Sequence, residues 1–542
     1  MYVGVIIKSH KEKRAKYKEE NNMKKIKSGI ALSVALLLAA GLFSGCGKDK
    51  AAKSDVAINE TGFPIVNEKL EMSMMGVTNA ILCEWSENLF FKEMEAKTNI
   101  AFTFTVMDDS TYAEKKNLAF ASGDLPDVFF KSQLNNNEVA RYGEQGYLLP
   151  LEELIDKYAP NLKKLMEENA DIKEAITTPD GHIYALPSID PSRAHSTIVL
   201  NKKWLEKLGM SMPTSTDEFY DVLYAFKNND PNGNGQDDEI PITLSSTENI
   251  KRAFFPMFGM VSGENNMSII DGKAEFIPFN KNFKEALTYL NKLCADGLLD
   301  SETFTQTSQE LNAKGKSETE LLGGMFTPGA FLHVGEERHF DYDSFTPFVN
   351  SDGTQVAFGS SGIATGAFAI SKNCPSPEAA IRWVDYLYGE EGGRLAQMGV
   401  EGKTYKMNDD GSWDWILSEG QEQNDLRGKE TIQPGASVPQ LIPVETWNKI
   451  QNIYEASLAD VRGKVTPYTV PALPQLYFTA DDLKDVNSIS ADLNTYVNEM
   501  IAKFILGQES IDNIDAFISK CKDMKADELV SIYQKTYDST HK

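Results

Sequence analysis

The chain has 542 residues, of which 41% are hydrophobic, so it is long and apolar enough to bury the cores of more than one domain. Its formal net charge is −25, and so acidic a surface repels phosphate backbones and anionic lipids, which disfavours nucleic-acid binding. The five cysteines show neither CxxC nor metal-finger spacing, so we predict neither a zinc finger nor a disulfide framework.

The first distinctive stretch, residues 23–46, reads MKKIKSGIALSVALLLAAGLFSGC. Lysines stand near its start, an apolar run extends from Ile30 to Phe43, and two small residues precede Cys46. This arrangement is typical of a secretory signal. The apolar run is too short for a membrane span, which needs about 20 residues. We therefore predict a cleaved signal peptide at 23–45.

The end of the signal resembles the lipobox of bacterial lipoproteins, with Phe43 where Leu, Val or Ile is usual. The resemblance implies that Cys46 becomes the lipidated mature N-terminus, with palmitate-type chains that hold the protein at the extracellular face of the cell membrane. We interpret residues 1–22 as an upstream extension and 46–60 as a flexible tether. Removing residues 1–45, which carry nine Lys or Arg and three Asp or Glu, leaves a net charge near −31.

Strand and helix periodicities alternate at the start of the mature domain. Alternating apolar residues predict strands at 70–74 and 100–106, and helical spacing predicts helices at 84–97 and 112–121. A short buried strand follows at 127–130. This β-α-β-α-β order predicts a mainly parallel sheet with helices on both faces.

The rest of the chain continues as α/β and ends in helices. We predict a turn followed by a strand at 178–187, and further strands at 197–201, 325–326 and 368–370. Helices are predicted at 148–168 (with a break at Ala159-Pro160), 202–208, 214–227, 283–295, 378–388, 486–504 and 514–533. The return of strands after residue 320 predicts two lobes built from interleaved segments. The first lobe would comprise 61–190 and 330–390, and the second 191–329 and 391–542.

The segment DPNGNGQDDE, residues 230–239, has the D-x-N-x-N-G spacing of a calcium-binding loop. Oxygen ligands without His or Cys favour Ca²⁺ over zinc. Pro241 stands where an EF-hand has its twelfth-place Glu, so we predict a single structural site rather than a signalling one. The alternative is a plain turn, because Asn, Asp and Gly favour turns by themselves. The predicted ligands are Asp230, Asn232, Asn234, Gln236 (through its backbone carbonyl), Asp238 and Glu239.

Several phrases in fixed order carry a resemblance to a known family. They are ASGDLPDVFF, GYLLPLEELIDKYAPNL, TPDGHIYALP, LNKKWLEKLGMSMPTSTDEF, AFKNNDPNGNGQDDEIPI, EAAIRWVDYLYGEEGG, GVEGKTYKM and TYVNEMIAKFILGQESID. Together they resemble the family 1 extracellular solute-binding lipoproteins of carbohydrate ABC importers in Gram-positive bacteria. The resemblance covers nearly all of 65–535 and is closest to the larger, complex-sugar members.

The resemblance implies a two-lobed periplasmic-binding-protein-like (type II) fold, with three-layer α/β/α lobes and extra C-terminal helices. It also implies a monomer without catalytic activity that captures an oligosaccharide between its lobes and delivers it to ABC permease subunits. The ATPase would be a separate chain, because this sequence has no GxxxxGK[ST] motif.

Sugars are bound by aromatic faces and planar polar groups in an interlobe cleft. The family pattern places these contacts on loops after first-lobe strands and at the crossovers between lobes. Trp85 and Trp447 stand among polar neighbours and are the favoured aromatic contacts. The full predicted set is Asn79, Trp85, Lys131, Gln133, Asn135, Asp190, Arg193, Phe331 and Trp447.

Other classes stay open on the sequence alone. A peptide-binding importer subunit would share the signal and the two lobes. A surface polysaccharide-degrading enzyme would need two carboxylates beside one bond, and 79 acidic residues make such pairs uninformative. The loose group His333, Glu336, Glu337 and His339 fits no zinc spacing. The identity, length and charge of the sugar are not predicted.

Overall fold

The structure is a computed structural model that describes residue 54 and residues 56–192, 196–350, 352–449 and 453–541. The predicted signal peptide and its Cys46 lie outside the described residues, as does Arg193. Within the described part, no helix combines the length and the apolar character that crossing a membrane requires.

Most strands are short and distributed along the whole chain. In chain order they are β1 (Leu70–Thr78), β2 (Ile100–Asp108), β3 (Val128–Phe130), β4 (Leu186–Ile189), β5 (Thr197–Asn201), β6 (Met267–Ile270), β7 (Lys273–Phe276), β8 (Gly324–Thr327), β9 (Tyr342–Ser344), β10 (Ala357–Gly359), β11 (Ile363–Ile370), β12 (Tyr405–Met407), β13 (Trp413–Trp415) and β14 (Thr469–Pro471).

Helices occupy much of the remaining chain. The α-helices are α1 (Leu89–Thr98), α2 (Asp109–Ser122), α3 (Asn136–Glu144), α4 (Glu152–Tyr158), α5 (Pro160–Glu168), α6 (Ala170–Ile176), α7 (Lys202–Leu208), α8 (Thr216–Asn228), α9 (Thr247–Phe254), α10 (Phe283–Ala295), α11 (Ser308–Gly315), α12 (Phe331–Val334), α13 (Glu336–His339), α14 (Pro377–Asp385), α15 (Glu390–Met398), α16 (Gln423–Glu430), α17 (Val444–Trp447), α18 (Ile453–Gly463), α19 (Ala480–Ile505), α20 (Ile514–Asp523) and α21 (Ala526–Thr540).

The first sheet has five strands in the order β2-β1-β3-β11-β4. Strand β1 pairs in parallel with β2 and β3, which confirms the predicted β-α-β-α-β unit. Helix α1 begins at Leu89, later than predicted, because the Asn88 side chain accepts a hydrogen bond from the backbone N–H of Phe90 and caps it. Strand β11 departs from the parallel pattern and lies antiparallel between β3 and β4.

The second sheet has three strands in the order β8-β5-β9, and both of its pairings are antiparallel. Helices α8, α10 and the long α19 bury their apolar sides in the largest hydrophobic core, together with α20 and α21. Phe219, Leu290 and Leu493 are fully buried there. The helical C-terminus is therefore part of the core of the second lobe.

The chain crosses between the two sheets after β4, again between β9 and β11, and again after α17. Two segments lie differently from the predicted lobe boundaries. Strand β9 pairs with β5 of the second sheet, whereas Ala396, Ile432 and Val438 pack in the core of the first. We propose first-lobe segments at about 56–190 and 360–449, with the remaining described residues in the second lobe.

Candidate ligand-binding site

A cavity near the crossovers has a volume of about 610 Å³, within the range of about 300–1,000 Å³ usual for small-molecule sites. Asp190 and Pro191, at the first crossover, line it, as does Val444 at the last. Pro328 and Phe331 line it from the segment after β8 of the second sheet. The cavity is thus bounded by both lobes, where a bound molecule would contact each of them.

Trp447 provides an aromatic wall of this cavity, and a small tryptophan cluster holds it in place. Its ring lies 5.3 Å from the ring of Trp413 and 6.1 Å from that of Trp415, measured between centroids. The indole N–H of Trp413 donates to the carbonyls of Thr446, at 2.8 Å, and Trp447, at 3.2 Å. The hairpin β12–β13, which carries Trp413, therefore fixes the position of the wall.

Planar polar side chains lie beside this wall. The guanidinium carbon of Arg427 lies 5.7 Å from the centre of the Trp447 ring, and the guanidinium donates to the side-chain oxygen of Gln433. Arg462 donates to the carbonyl of Pro328 at 2.9 Å. Arg427, Gln433 and Arg462 all line the cavity, so it combines an aromatic face with guanidinium and amide groups.

A smaller cavity of about 240 Å³ adjoins the larger one. The two share Asp190, Gln433 and Ile442 in their walls. A carboxylate oxygen of Asp190 accepts a hydrogen bond from the backbone N–H of Ser192 at 2.9 Å. The two adjoining cavities are together called the cleft, and Gln433 lies where they meet.

Three of the nine predicted contact residues line the larger cavity: Asp190, Phe331 and Trp447. Asn79 is half-buried and lies against Gly435, which lines the smaller cavity. The structure therefore brings four of the predicted residues to the cleft or its edge.

Trp85 does not lie in the cleft. It is 1% exposed, and its ring stacks on Phe91 and meets Phe130 edge to face. A side chain at Gly76 of β1 would collide with the Trp85 ring, so the glycine makes room for it. The structure thus corrects the prediction by placing Trp85 in the first-lobe core.

Three further predicted residues have structural roles. Asn135 caps helix α3 by accepting a hydrogen bond from the backbone N–H of Glu138. Gln133 is exposed, and its carbonyl accepts a hydrogen bond from Lys116 at 3.1 Å. Lys131 is 1% exposed and donates to the carbonyls of Ile432, at 2.9 Å, and Pro434, at 2.7 Å. Lys131 therefore supports the segment that carries Gln433 instead of facing the cleft.

Five polar residues in the cavity walls were not predicted from the sequence. Gln397, Arg427, Gln433 and Arg462 line the larger cavity, and Gln433 and Gln440 line the smaller one. All five lie between residues 397 and 462, where elements are short and no recognised motif marks a ligand contact. Their proximity to Trp447 was the available signal, because a predicted aromatic contact needs polar partners nearby.

The loop at 230–239 is closed by its own side chains. One carboxylate oxygen of Asp230 accepts from the backbone N–H groups of Gly233 and Asn234, and the other accepts from Gly235. The Asn234 side-chain amide donates to both carboxylate oxygens of Asp238 at 3.0 Å. Glu239 is 3% exposed, and one of its oxygens has no hydrogen-bond partner among the described residues.

The donor set fits calcium by its chemistry. Burial raises the pKa of Glu239, and the neighbouring Asp230 and Asp238 raise it further. A hard divalent cation would relieve both the repulsion and the unmet hydrogen bonding of Glu239. No group of three or more His, Cys, Asp or Glu side chains in the described part of the chain is arranged to hold a metal ion. The loop carboxylates are therefore not drawn to one point in this conformation.

The sequence matches the bacterial extracellular solute-binding protein family over residues 84–394. This chain accordingly belongs to that family, whose two-lobed fold agrees with the two sheets and the cleft between them. The match includes every strand of the two sheets except β1, and it includes the first two crossovers.

Similar proteins cover nearly the whole chain. The fructooligosaccharide ABC transporter substrate-binding protein FusA of Streptococcus pneumoniae serotype 4 is 28% identical over 540 residues, 95% of this chain and 98% of FusA. The polygalacturonan/rhamnogalacturonan-binding protein YtcQ of Bacillus subtilis is 22% identical over 522 residues, 94% of this chain and 98% of YtcQ.

Solved structures of similar proteins share the fold of this chain. FusA in complex with kestose has a TM-score of 0.66 and 26% identity, covering 86% of this chain and 99% of FusA. A FusA EF-hand mutant in complex with fructo-nystose has a TM-score of 0.67, 27% identity and the same coverage. An extracellular solute-binding protein from Bifidobacterium longum subsp. infantis has a TM-score of 0.73 and 25% identity, covering 88% and 99%.

Proposed function

We propose that this protein captures an oligosaccharide in the cleft between its lobes and delivers it to the permease of an ABC importer. The observation that carries the proposal is the larger cavity, where the Trp447 face stands beside the guanidinium of Arg427 and the carboxamide of Gln433. Aromatic faces pack on the C–H surfaces of sugars, and planar polar groups pair with their hydroxyls. The name of FusA, a fructooligosaccharide-binding relative, supports the same ligand class.

The alternatives receive less support. An amino-acid or peptide ligand needs a carboxylate for its ammonium group and a cation for its carboxylate, and Asp190, Arg427 and Arg462 line the larger cavity. The charged residues therefore do not separate the two ligand classes, and the Trp447 face is what favours a sugar. Hydrolysis of a glycosidic bond needs two carboxyl groups about 5–9.5 Å apart, and Asp190 is the one described carboxylate in the wall. We propose a binding role without catalysis.

We further propose that the mature protein is a monomer, anchored through lipid on Cys46 at the outer face of the membrane. The tether at 46–60 would let the binding domain reach the permease while it stays near the surface. The lipobox-like sequence before Cys46 and the extracellular family support this arrangement.

A structural calcium ion at the 230–239 loop completes the proposal. Asp230, Asn232, Asn234, Asp238 and Glu239 would hold it through side-chain oxygens, and Gln236 through its carbonyl. The buried, unpartnered oxygen of Glu239 supports the site, and a FusA structure is described as an EF-hand mutant. The loop shares no residue with the walls of either cavity, which favours a role in stability rather than ligand contact.

The test is a thermal-shift and calorimetric screen of the domain without its signal and tether. Neutral fructo-, malto- and manno-oligosaccharides, uronic oligosaccharides and short peptides would be added separately, and mass spectrometry would follow each ligand. An oligosaccharide that raises Tm and is recovered intact supports the proposal; a ligand at a hundred times its Kd adds about 2.7 kcal/mol of stability. Binding of peptides alone, or cleavage of the added sugar, would contradict it.

A further inference from the structure

The smaller cavity, lined in part by Asp190, Gln433 and Gln440 and here called the side chamber, has chemistry of its own. We infer that it is a separate subsite that takes one uncharged, hydroxyl-bearing sugar unit from the end of the oligosaccharide. The inference rests on the proposed function and narrows the ligand to one with a neutral terminal unit.

The first argument is size. The side chamber holds about 240 Å³, below the range of about 300–1,000 Å³ for complete ligand sites, so it suits part of a molecule that also occupies the larger cavity. Its walls include Ala364, Gly435 and Ser437, which extend little into the space. Gly435 has a φ of +95° and lies against Asn79, so a bulkier residue there would be strained and would also collide.

The second argument is an unmet hydrogen bond. Gln440 lines the side chamber, is 1% exposed, and has a side-chain oxygen without a partner among the described residues. Its amide nitrogen donates to the Gln397 side chain at 3.3 Å. A buried acceptor without a partner is destabilising, and a sugar hydroxyl is a donor that can pair with it.

The third argument is charge. Among the described residues, Asp190 is the ionisable group in the wall of the side chamber, while Arg427 and Arg462 line the larger cavity. A sugar unit that carries a carboxylate would meet like charge from Asp190 in the chamber. Hydroxyl groups can instead donate to Asp190 and Gln440, which selects a neutral unit.

Gln433, where the two cavities meet, is held in place by hydrogen bonds to itself and to its neighbours. Gln433 lines both of them, and its side chain accepts a hydrogen bond from Arg427. Lys131 donates to the carbonyls on either side of it, those of Ile432 and Pro434. Gln433 is therefore placed to contact the sugar unit that connects the two cavities.

The experiment fills the chamber without touching the larger cavity. Ala364 is exposed on β11, so Ala364→Leu narrows the chamber at little risk to folding, and Ala121→Leu on an exposed part of α2 is the matched control. Calorimetry would compare both variants with the wild type on fructo-, malto- and manno-oligosaccharides of two to five units, and on uronic oligosaccharides of the same lengths. A second variant, Gln440→Met, removes the buried acceptor at similar volume.

We expect Ala364→Leu to weaken the binding of the longer neutral oligosaccharides by about tenfold or more, and the binding of disaccharides by less than about threefold. Gln440→Met should follow the same length dependence, and Ala121→Leu should change nothing. If wild type and Ala364→Leu bind oligosaccharides of every length with equal affinity, the side chamber is not a subsite, while the proposed function stands. Wild-type binding confined to oligosaccharides with uronate units at both ends would also overturn the inference. A wild type that binds no oligosaccharide at all would overturn both proposals.

Discussion

Lys131 is a buried cation whose two described hydrogen bonds hold the backbone around a cleft residue. Its ammonium donates to the carbonyls of Ile432 and Pro434, and both bonds are buried. We expect Lys131→Met to lower the free energy of unfolding by about 1–3 kcal/mol, because two buried carbonyls lose their donor. It should also weaken oligosaccharide binding, since Gln433 lies between those carbonyls.

The measurement is urea unfolding together with calorimetric Kd values. Lys163→Met is the control, because the Lys163 side chain is 41% exposed in a surface ion pair with Asp156 that contributes little. Unchanged affinity in Lys131→Met would show that Gln433 does not depend on this support.

Asp385 connects stability to pH. Burial raises its pKa to about 6, although backbone N–H groups of Asn161 and Leu162 donate to it and oppose the shift. Because the folded pKa is above the unfolded value of about 3.9, the contribution of Asp385 to stability is present at low pH and is lost as pH rises through 6. Asp385→Asn cannot ionise at this position, so its stability should not fall in this way as pH rises.

We therefore expect the stability of Asp385→Asn relative to wild type to increase by about 2 kcal/mol between pH 4.5 and 7.5. Urea unfolding at several pH values measures it. Asp124→Asn, on an exposed loop, should show no such trend. A pH-independent difference for Asp385→Asn would mean that the N–H donors cancel the effect of burial on the pKa of Asp385, and a trend of the opposite sign would mean that they outweigh it.

At the scale of elements, the calcium loop makes a prediction of its own. Added Ca²⁺ should raise Tm and EDTA should lower it, because an ion that binds the folded state alone stabilises that state by mass action. The raised pKa of Glu239 means that protons compete with calcium, so the affinity should fall as pH drops through that pKa. Differential scanning fluorimetry with calcium titration at several pH values measures both effects.

Asp230→Ala should abolish the response to calcium. Asp237→Ala is the control, because Asp237 lies in the same loop but pairs with Lys227 and is not a predicted ligand. A calcium response that survives in Asp230→Ala would place the ion elsewhere.

The hairpin β12–β13 is the element that positions the aromatic wall of the cleft. Trp413 is fully buried, and its indole N–H donates to two carbonyls, one of them that of Trp447. We expect Trp413→Phe to weaken oligosaccharide binding by about tenfold, although Trp413 does not line the cavity. Trp383→Phe is a matched control, because Trp383 is equally buried but lies in the first-lobe core. Equal effects of the two changes on Kd would mean that general destabilisation, not positioning, is responsible.

These elements also show what the sequence could predict. The β-α-β-α-β unit at 70–130 was predictable because its strands and helices are long enough to display their periods of 2 and 3.6. Strands β12 (Tyr405–Met407) and β13 (Trp413–Trp415) are too short to show a period, so the contact of Trp413 with Trp447 could not be predicted. Trp85 and Trp447 look alike in sequence, and packing over Gly76 separates the buried one from the one in the cleft.

At the scale of the whole molecule, the two lobes have separate hydrophobic cores and share the cleft. One core contains Leu290 and Leu493, and the other contains Phe130 and Trp383. The walls of the larger cavity come from both lobes, with Gln433 and Trp447 on one side and Phe331 on the other. An oligosaccharide that contacts both walls would therefore connect the two cores energetically.

We expect a cleft ligand to draw the lobes together and to couple their unfolding. Small-angle X-ray scattering should show a smaller radius of gyration with ligand, because contacts to both walls are gained only when the lobes approach. Calorimetry should show one sharper transition at higher temperature, since a ligand bound to both lobes is lost when either one unfolds. Trp447→Ala on the first wall and Phe331→Ala on the second should each reduce both responses, while Trp383→Phe should leave the compaction unchanged. A ligand that raises Tm without compaction would bind one lobe alone, and delivery would then not depend on closure.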